Sequence, residues 1–163
     1  MRFTTSKGVF DLELYPGKAP LTVANFVKLV KARFYDGILV HRVEPGFVVQ
    51  AGDPQTRGMS AKKLKAILAR QSDPLPSDPQ IGSGGPGWTI PLEHNDLVHD
   101  RGVIAMARTS DPDSAGSQFY VTLGPAHFLD GQYCVFGRVT TGMVVVDKLA
   151  VGDVIRSARI IGG

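Results

Sequence analysis

The stretch HRVEPGFVVQAGD, residues 41–53, gathers His41, Arg42, Glu44, Gln50 and Asp53 among apolar residues. An imidazole beside carboxylates is the material of a hydrolase or a metal site, but the rest of the chain supports neither. The histidines are His41, His94, His99 and His127, and Cys134 is the one cysteine. His94 and His99 are five apart, which does not set two ligands on one helical face as H-E-x-x-H does. With no cysteine pair available, a structural zinc site lacks its usual ligands, so no metal is expected. The nearest approach to a nucleophile elbow, AGSQF (115–119), lacks the G-x-S-x-G pattern. GSGGPG (82–87) matches G-x-G-x-x-G at Gly82, Gly84 and Gly87. Pro86 lies inside it, however, and WTIPL follows, so no helix N-terminus is there to receive a pyrophosphate. It reads as a flexible glycine loop.

What remains is an arginine and a glutamine held against apolar surface. EPGF (44–47) is a turn with Pro45 second and Gly46 third, which is type II chemistry: proline presets φ and glycine accepts φ > 0. The turn joins a strand at 38–43 to one at 47–51. Side chains alternate along a strand, so Val40 and Arg42 share one face while His41 and Val43 share the other. Val48 and Gln50 share a face in the second strand. Arg42 and Gln50 can therefore meet on one side, next to apolar groups. From this stretch alone, an Arg42 that only caps a barrel rim in a salt bridge fits equally well.

The elements that must position these residues are mostly short strands. VFDLELY (9–15) alternates apolar positions 10, 12 and 14 with acidic 11 and 13, the mark of a half-buried strand. GILVHRV, GFVVQAG, GVIAMAR, SQFYVTL, YCVFGRV and VIRSARII read the same way. Many strands at short spacing favour a closed barrel or a sandwich. Helices are expected at 20–33, where Pro20 suits the first turn and Val23, Phe26, Val27 and Val30 form one apolar stripe, and at 142–150. A third, at 59–71, begins at the capping residue Ser60 and carries Leu64, Ile67 and Leu68 on one side. Lys62, Lys63, Lys65 and Arg70 give it four positive charges with no acid between them, and a proline-broken loop follows.

A chain of 163 residues is long enough for one domain with a real core. Its hydrophobic content of 43% and charged content of 20% are those of a globular protein, and a net charge of +3 does not by itself point to nucleic acid. No apolar run approaches the ~18 residues that a membrane span needs. The N-terminus has no signal-peptide pattern, so a chain that begins at Met1 is expected in the cytoplasm. Cys134 sits between apolar neighbours and reads as a small buried hydrophobe.

Four blocks carry a family resemblance: FYDGILVHRVEPGFVVQAGDP (34–54), GSGGPGW (82–88), RGVIAMARTSDPDSAGSQFYVTL (101–123) and HFLDGQYCVFGRV (127–139). Together, in this order, they resemble the cyclophilins, the peptidyl-prolyl cis–trans isomerases. With the amino-terminal strand and helix, the resemblance covers nearly all of 1–163 except about 57–80, which stands as a surface insertion within one domain. It implies a mainly β fold, a closed eight-stranded antiparallel barrel with two capping helices plus the short inserted helix, and an active-site groove on the outer barrel wall. It implies no metal, nucleotide or other cofactor and no covalent intermediate. The catalytic arginine of the family falls on Arg42, and the proline pocket on Phe47, Val48, Tyr120 and Leu129. Gln50 and Gln118 match the groups that hold the substrate backbone. Ala107 and Arg108 match the strand along which the peptide lies, and His41, Phe128 and Tyr133 line the groove. Alternation sets His41 behind the face that carries Arg42, which makes it support for the strand and not an acid or base. Partners would be proline-containing peptides and unfolded or partly folded proteins, bound by a monomer.

Several positions depart from the commonest pattern. Val40 stands where phenylalanine is frequent, Val48 where methionine is, Ala51 for a usual glycine, Tyr120 for a phenylalanine, and Phe128 where many members have tryptophan. The last change implies weak cyclosporin binding. None of them touches the arginine or glutamine positions.

The chemistry fits such residues. Rotation about a peptide bond faces a barrier of ~20 kcal/mol, and no heavy-atom bond is made or broken, so neither a nucleophile nor a general base is required. A guanidinium aimed at the twisted amide binds it better than either planar form, and that difference is catalysis. Two rivals stay open: a proline-peptide binding module with little turnover, and a small-ligand barrel with an open apolar lumen. The insertion is expected beside the groove, where its basic stripe would favour acidic partners.

Overall fold

The computed structural model describes residues 1–162; the last residue of the expected domain, 163, lies outside them. The strands are β1 (Arg2–Thr5), β2 (Gly8–Leu14), β3 (Arg42–Glu44), β4 (Val48–Ala51), β5 (Val103–Met106), β6 (Phe119–Thr122), β7 (Val135–Thr141) and β8 (Ile155–Arg159). They form one antiparallel sheet in the order β3-β4-β6-β5-β7-β2-β1-β8. The alternation read in residues 9–15 is realised in β2, where Phe10 and Leu12 are buried between exposed or half-exposed neighbours.

The expected closed barrel is corrected to a curled half-barrel, open between its edge strands β3 and β8. Where those edges approach, one isolated bridge joins Leu39 to Val154, with main-chain bonds from Gly37 N to Ile155 O (2.7 Å) and from Ile155 N to Ile38 O (2.8 Å). Turns at Tyr35–Ile38 and Ala150–Asp153 flank these contacts, so the two segments never run in register long enough for a ladder.

Three helices form within the expected spans. In α1 (Pro20–Lys31) Pro20 opens the first turn, and Val23, Phe26, Leu29 and Val30 are buried. Phe26 meets Phe119 edge-on at 5.7 Å and Phe136 at 5.0 Å between ring centres. Truncating such a buried ring to alanine costs about 3–5 kcal/mol, so this contact fixes the helix on the sheet. The inserted helix is α2 (Ala61–Ala69), and Ser60 Oγ caps it by accepting from Lys63 N at 3.1 Å. In α3 (Met143–Lys148) Val146 is buried against the same core as α1.

The sheet is apolar on both faces, and this creates the site. Val49, Ala51, Ile104, Met106, Phe119, Val121 and Phe136 point inward to the main core with the α1 side chains. The alternate residues Val48, Val103, Ala105, Tyr120 and Val135 point outward and form a second apolar cluster, with Phe47, Leu97, Ala107, Leu129 and Tyr133 packed on it. A strand set with one wet face would carry polar residues there; an apolar outer patch needs a cover or a ligand.

Candidate active site

The β3–β4 hairpin carries the residues that opened the sequence analysis. Phe47 N donates to Glu44 O at 2.9 Å and Gly46 has φ of +73°, so EPGF is a turn with its glycine in the conformation expected of it. The turn sets the register Arg42 opposite Gln50, Gln50 opposite Tyr120, and Tyr120 opposite Ala105. Directly paired residues share a face, so these four form one row across the outer side of the sheet.

The Arg42 guanidinium is held in two directions. Its Nε and Nη2 donate to Glu44 Oε1 at 3.2 and 2.7 Å, and Nη1 donates to Gln50 Oε1 at 3.1 Å. Guanidinium offers five N–H groups, so two remain for a ligand. The rim salt bridge and the catalytic-type placement, set as alternatives in the sequence, occur together. With both side chains about half exposed, the Arg42–Glu44 pair adds little stability; its effect is to fix the guanidinium plane.

From Arg42 a chain of side-chain amides runs into the glycine loop. Gln50 Nε2 donates to Gln118 Oε1 at 3.0 Å, and Gln118 Nε2 donates to Gly82 O and Gly84 O at 2.8 and 2.9 Å. Asp53, fully buried, holds the same loop by accepting from Gly82 N at 2.7 Å. GSGGPG is therefore tethered to the sheet at this point.

A groove of about 420 Å³ opens beside Arg42, lined by His41, Arg42, Phe47, Val48, Gln50, Ala107, Arg108, Tyr120, Leu129 and Tyr133. It thus brings together every expected site residue but two. Gln118 lies in an adjoining hollow that shares Gln50, Gly82, Ala107 and Arg108 with it. Phe128 is 67% exposed on the short helical turn His127–Leu129, its ring stacked on Phe47 at 5.6 Å. Arg108 is tied down by donating from Nε and Nη2 to Gln132 O, and its guanidinium lies 4.5 Å from the centre of the Tyr133 ring.

His41 does not lie behind the strand as alternation predicted: Val40 and Val43 both pack on the main core, so the alternation breaks between them. His41 lines the groove with Arg42 while staying buried, with no hydrogen-bond partner on either ring nitrogen. Burial lowers its pKa below the ordinary histidine value, so it is neutral. His99 is fully buried as well, and burial lowers its pKa too. Its ring joins Asp130 Oδ1 at 2.8 Å and the Tyr120 hydroxyl at 2.8 Å. Burial pushes the Tyr120 phenol up, so it stays protonated.

The sequence reading missed several groups. Leu68 and Gln71 from the insertion, with Ile81 and Gly82, line the groove. Glu44 was visible two residues from Arg42 on the same strand face. The link from Tyr120 to His99 spans 21 residues of sequence and had no local signal. Among the described residues no cluster of three or more histidine, cysteine, aspartate or glutamate side chains could hold a metal ion, and no helix is long and apolar enough to cross a membrane.

Residues 1–161 match the family model described as cyclophilin-type peptidyl-prolyl cis–trans isomerase/CLD. The chain belongs to the cyclophilin family. Among curated cyclophilin relatives, peptidyl-prolyl cis-trans isomerase B of Bacillus subtilis is 38% identical over 93% of this chain and 90% of its own length. The Helicobacter pylori peptidyl-prolyl cis-trans isomerase is 39% identical over 94% of this chain and 81% of its own. Among solved structures, a cyclophilin-type isomerase of Cryptosporidium parvum, crystallised in the presence of the dipeptide Ala-Pro, superposes with a TM-score of 0.72. It is 24% identical and covers 96% of this chain and 98% of its own. A cyclophilin from Hirschia baltica gives 0.67 at 25% identity, covering 96% of this chain and 71% of its own. The chain is thus an enzyme of Xaa–Pro isomerisation, as its motifs implied.

Proposed function

We propose that this cyclophilin isomerises Xaa–Pro bonds in peptides and in unfolded or partly folded proteins by holding the proline ring still and stabilising the twisted amide through Arg42. The observation that carries the reading is the juxtaposition of a fixed guanidinium, with two N–H groups to spare, and an apolar pocket on the same sheet face.

A barrier of ~20 kcal/mol gives about 0.01 turnovers per second without catalysis, and about 10 per second requires removing roughly 4 kcal/mol. When the amide twists, resonance is lost and the nitrogen regains a lone pair. Arg42 donates to that region. A charge-assisted hydrogen bond is worth about 1.5–3 kcal/mol, and more where water is excluded. The pocket of Phe47, Val48, Tyr120 and Leu129 grips the ring, while the acyl side of the bond rotates. Gln50 and Gln118 present donor and acceptor atoms to the substrate main chain without charge, and Ala107 and Arg108 form the edge along which the peptide lies. His41, neutral and buried, lines the groove beside Arg42 and takes no part as acid or base. Arginine suits the central position because it keeps its charge when partly desolvated.

Titration with a short proline peptide followed by NMR tests the site. The Arg42 Nε–H, the Gln50 amide and the backbone of Ala107 should shift together with the pocket methyls of Val48 and Leu129. Shifts confined to some other surface would contradict the assignment. Phe128 supplies no indole N–H at the groove rim, which supports weak cyclosporin binding.

A further inference from the structure

The insertion between residues 57 and 80 is anchored to the rest of the chain through a small apolar core. Leu64 and Ile67 of α2 are buried in a small core of their own with Leu39 and Ile81. Beyond the helix, Arg70 Nε and Nη2 donate to the two oxygens of Asp78 at 2.6 and 2.8 Å, which closes the proline-rich loop back onto the helix end. Held this way, α2 presents Leu68, and the turn after it Gln71, to the groove that contains Arg42 and the ring pocket, with Ile81 and Gly82 beside them. A groove of about 420 Å³ is larger than a single proline ring can fill.

The charge at this end is already matched. Arg42 is paired with Glu44 and Arg70 with Asp78. Lys62, Lys63 and Lys65 do not line the groove, so the basic stripe is not placed to select acidic chains there. What faces the space is aliphatic (Leu68, Ile81) or neutral and hydrogen-bonding (Gln71 and His41). Both ring nitrogens of His41 are without a partner, although the residue is only 6% exposed. A buried donor and acceptor left unpaired favour a ligand that supplies the missing polar group.

We propose that α2 builds a side-chain subsite, continuous with the proline pocket, for a substrate residue within two positions of the proline, and that this subsite takes an uncharged aliphatic or amide side chain such as leucine, methionine or glutamine. The proposal rests on the isomerase reading of the groove. A carboxylate or ammonium seated against Leu68 and Ile81 would lose water to aliphatic side chains.

Cis–trans exchange rates on a peptide panel test it. The panel holds an Ala-Pro reference and peptides with leucine, glutamine, glutamate or lysine at each position within two residues of the proline. At one position the wild-type enzyme should favour leucine and glutamine over glutamate and lysine by about tenfold, the discrimination available to a pocket of this kind. Leu68→Ala should shrink the leucine preference severalfold. Gln71→Glu, a change at an exposed position that leaves the helix core intact, should turn the order at that position towards lysine. Equal rates across the panel in the wild type, or variants that keep the wild-type order, would overturn the subsite. If the wild type fails to speed exchange of the Ala-Pro reference, the isomerase reading itself falls. Dissociation constants for the same panel then decide the subsite by the same criterion.

Discussion

The Tyr120 hydroxyl donates to Nε2 of His99 across 2.8 Å, so one wall of the groove beside Arg42 is pinned by a histidine that solvent does not reach. The tautomer follows from the partners. Asp130 offers acceptor oxygens, so Nδ1 carries the proton and donates to it, and Nε2 accepts from the phenol. Asp130 follows directly after Leu129, which lines the same groove. One Asp–His–Tyr relay therefore ties the Tyr120 and Leu129 segments together.

Tyr120→Phe should cost about 1–2 kcal/mol in urea unfolding, because it leaves a buried imidazole nitrogen unpaired. Removing both partners, in Tyr120→Phe/His99→Leu, should cost less than the sum of the two single changes, since neither orphan then remains. Strict additivity would show that the contact carries no coupling.

Stability should fall with acid in the window where histidine titrates. His99 and His41 are both held below their ordinary value by burial. In the unfolded chain they take up protons near pH ~6.5, while the folded protein refuses them. Their contribution is therefore fully present above about pH 6.5 and is lost as pH falls from there towards the folded values. Asp130 adds a loss at lower pH: burial opposes its charged form, but donors from the His99 main chain and ring and from His127 outweigh this and lower its pKa. Urea midpoints at pH 7.5, 6.0 and 5.0 should decline for the wild type and decline less for His99→Gln. A flat profile would contradict the assignment of two buried neutral histidines.

Gln118→Ala should reach the arginine through Gln50. The change removes both donors to the Gly82 and Gly84 carbonyls and the acceptor for the Gln50 amide. With one hydrogen bond worth about 0.5–1.5 kcal/mol net, kcat/KM should drop about tenfold. Amide hydrogen exchange across the glycine loop should quicken in parallel; unchanged exchange there would show that Gln118 does not tether it.

Gly52→Ala tests the path between β4 and Asp53. Gly52 has φ of +106°, and an added Cβ would fall 2.8 Å from Gln118 Cα with the Ser117 carbonyl closer still. Overpacking against main chain combined with a strained φ should cost about 3 kcal/mol or more, read as a large drop in Tm. A near-neutral effect would mean that the strand end can move.

Much of the site was legible in the sequence because its logic is local. The EPGF turn fixes the register of one hairpin and so sets Arg42 and Gln50 on one face. His41 was misplaced, because Val40 and Val43 both pack inward and the alternation breaks between them. Sheet closure was not legible, because whether residues 38–40 and 152–155 pair as a ladder depends on turns more than a hundred residues apart. The lysines of the insertion were visible, but which side of α2 faces the groove is decided by Leu64 and Ile67 packing on Leu39 and Ile81. The sequence set His99 aside as a metal ligand and gave it no other role; its partners, Tyr120 and Asp130, are 21 and 31 residues away.

The central claim is that Arg42 acts on the twisted amide and not merely on binding. Cis–trans exchange of a short Xaa-Pro peptide, measured by NMR at saturating peptide with the wild type and Arg42→Ala, tests it most directly. We expect the wild type to accelerate exchange and the variant to lose about a hundredfold, some 2.7 kcal/mol of transition-state stabilisation, while its dissociation constant changes only a few-fold. An Arg42→Ala enzyme that binds more weakly but turns over bound peptide at the wild-type rate would contradict the claim.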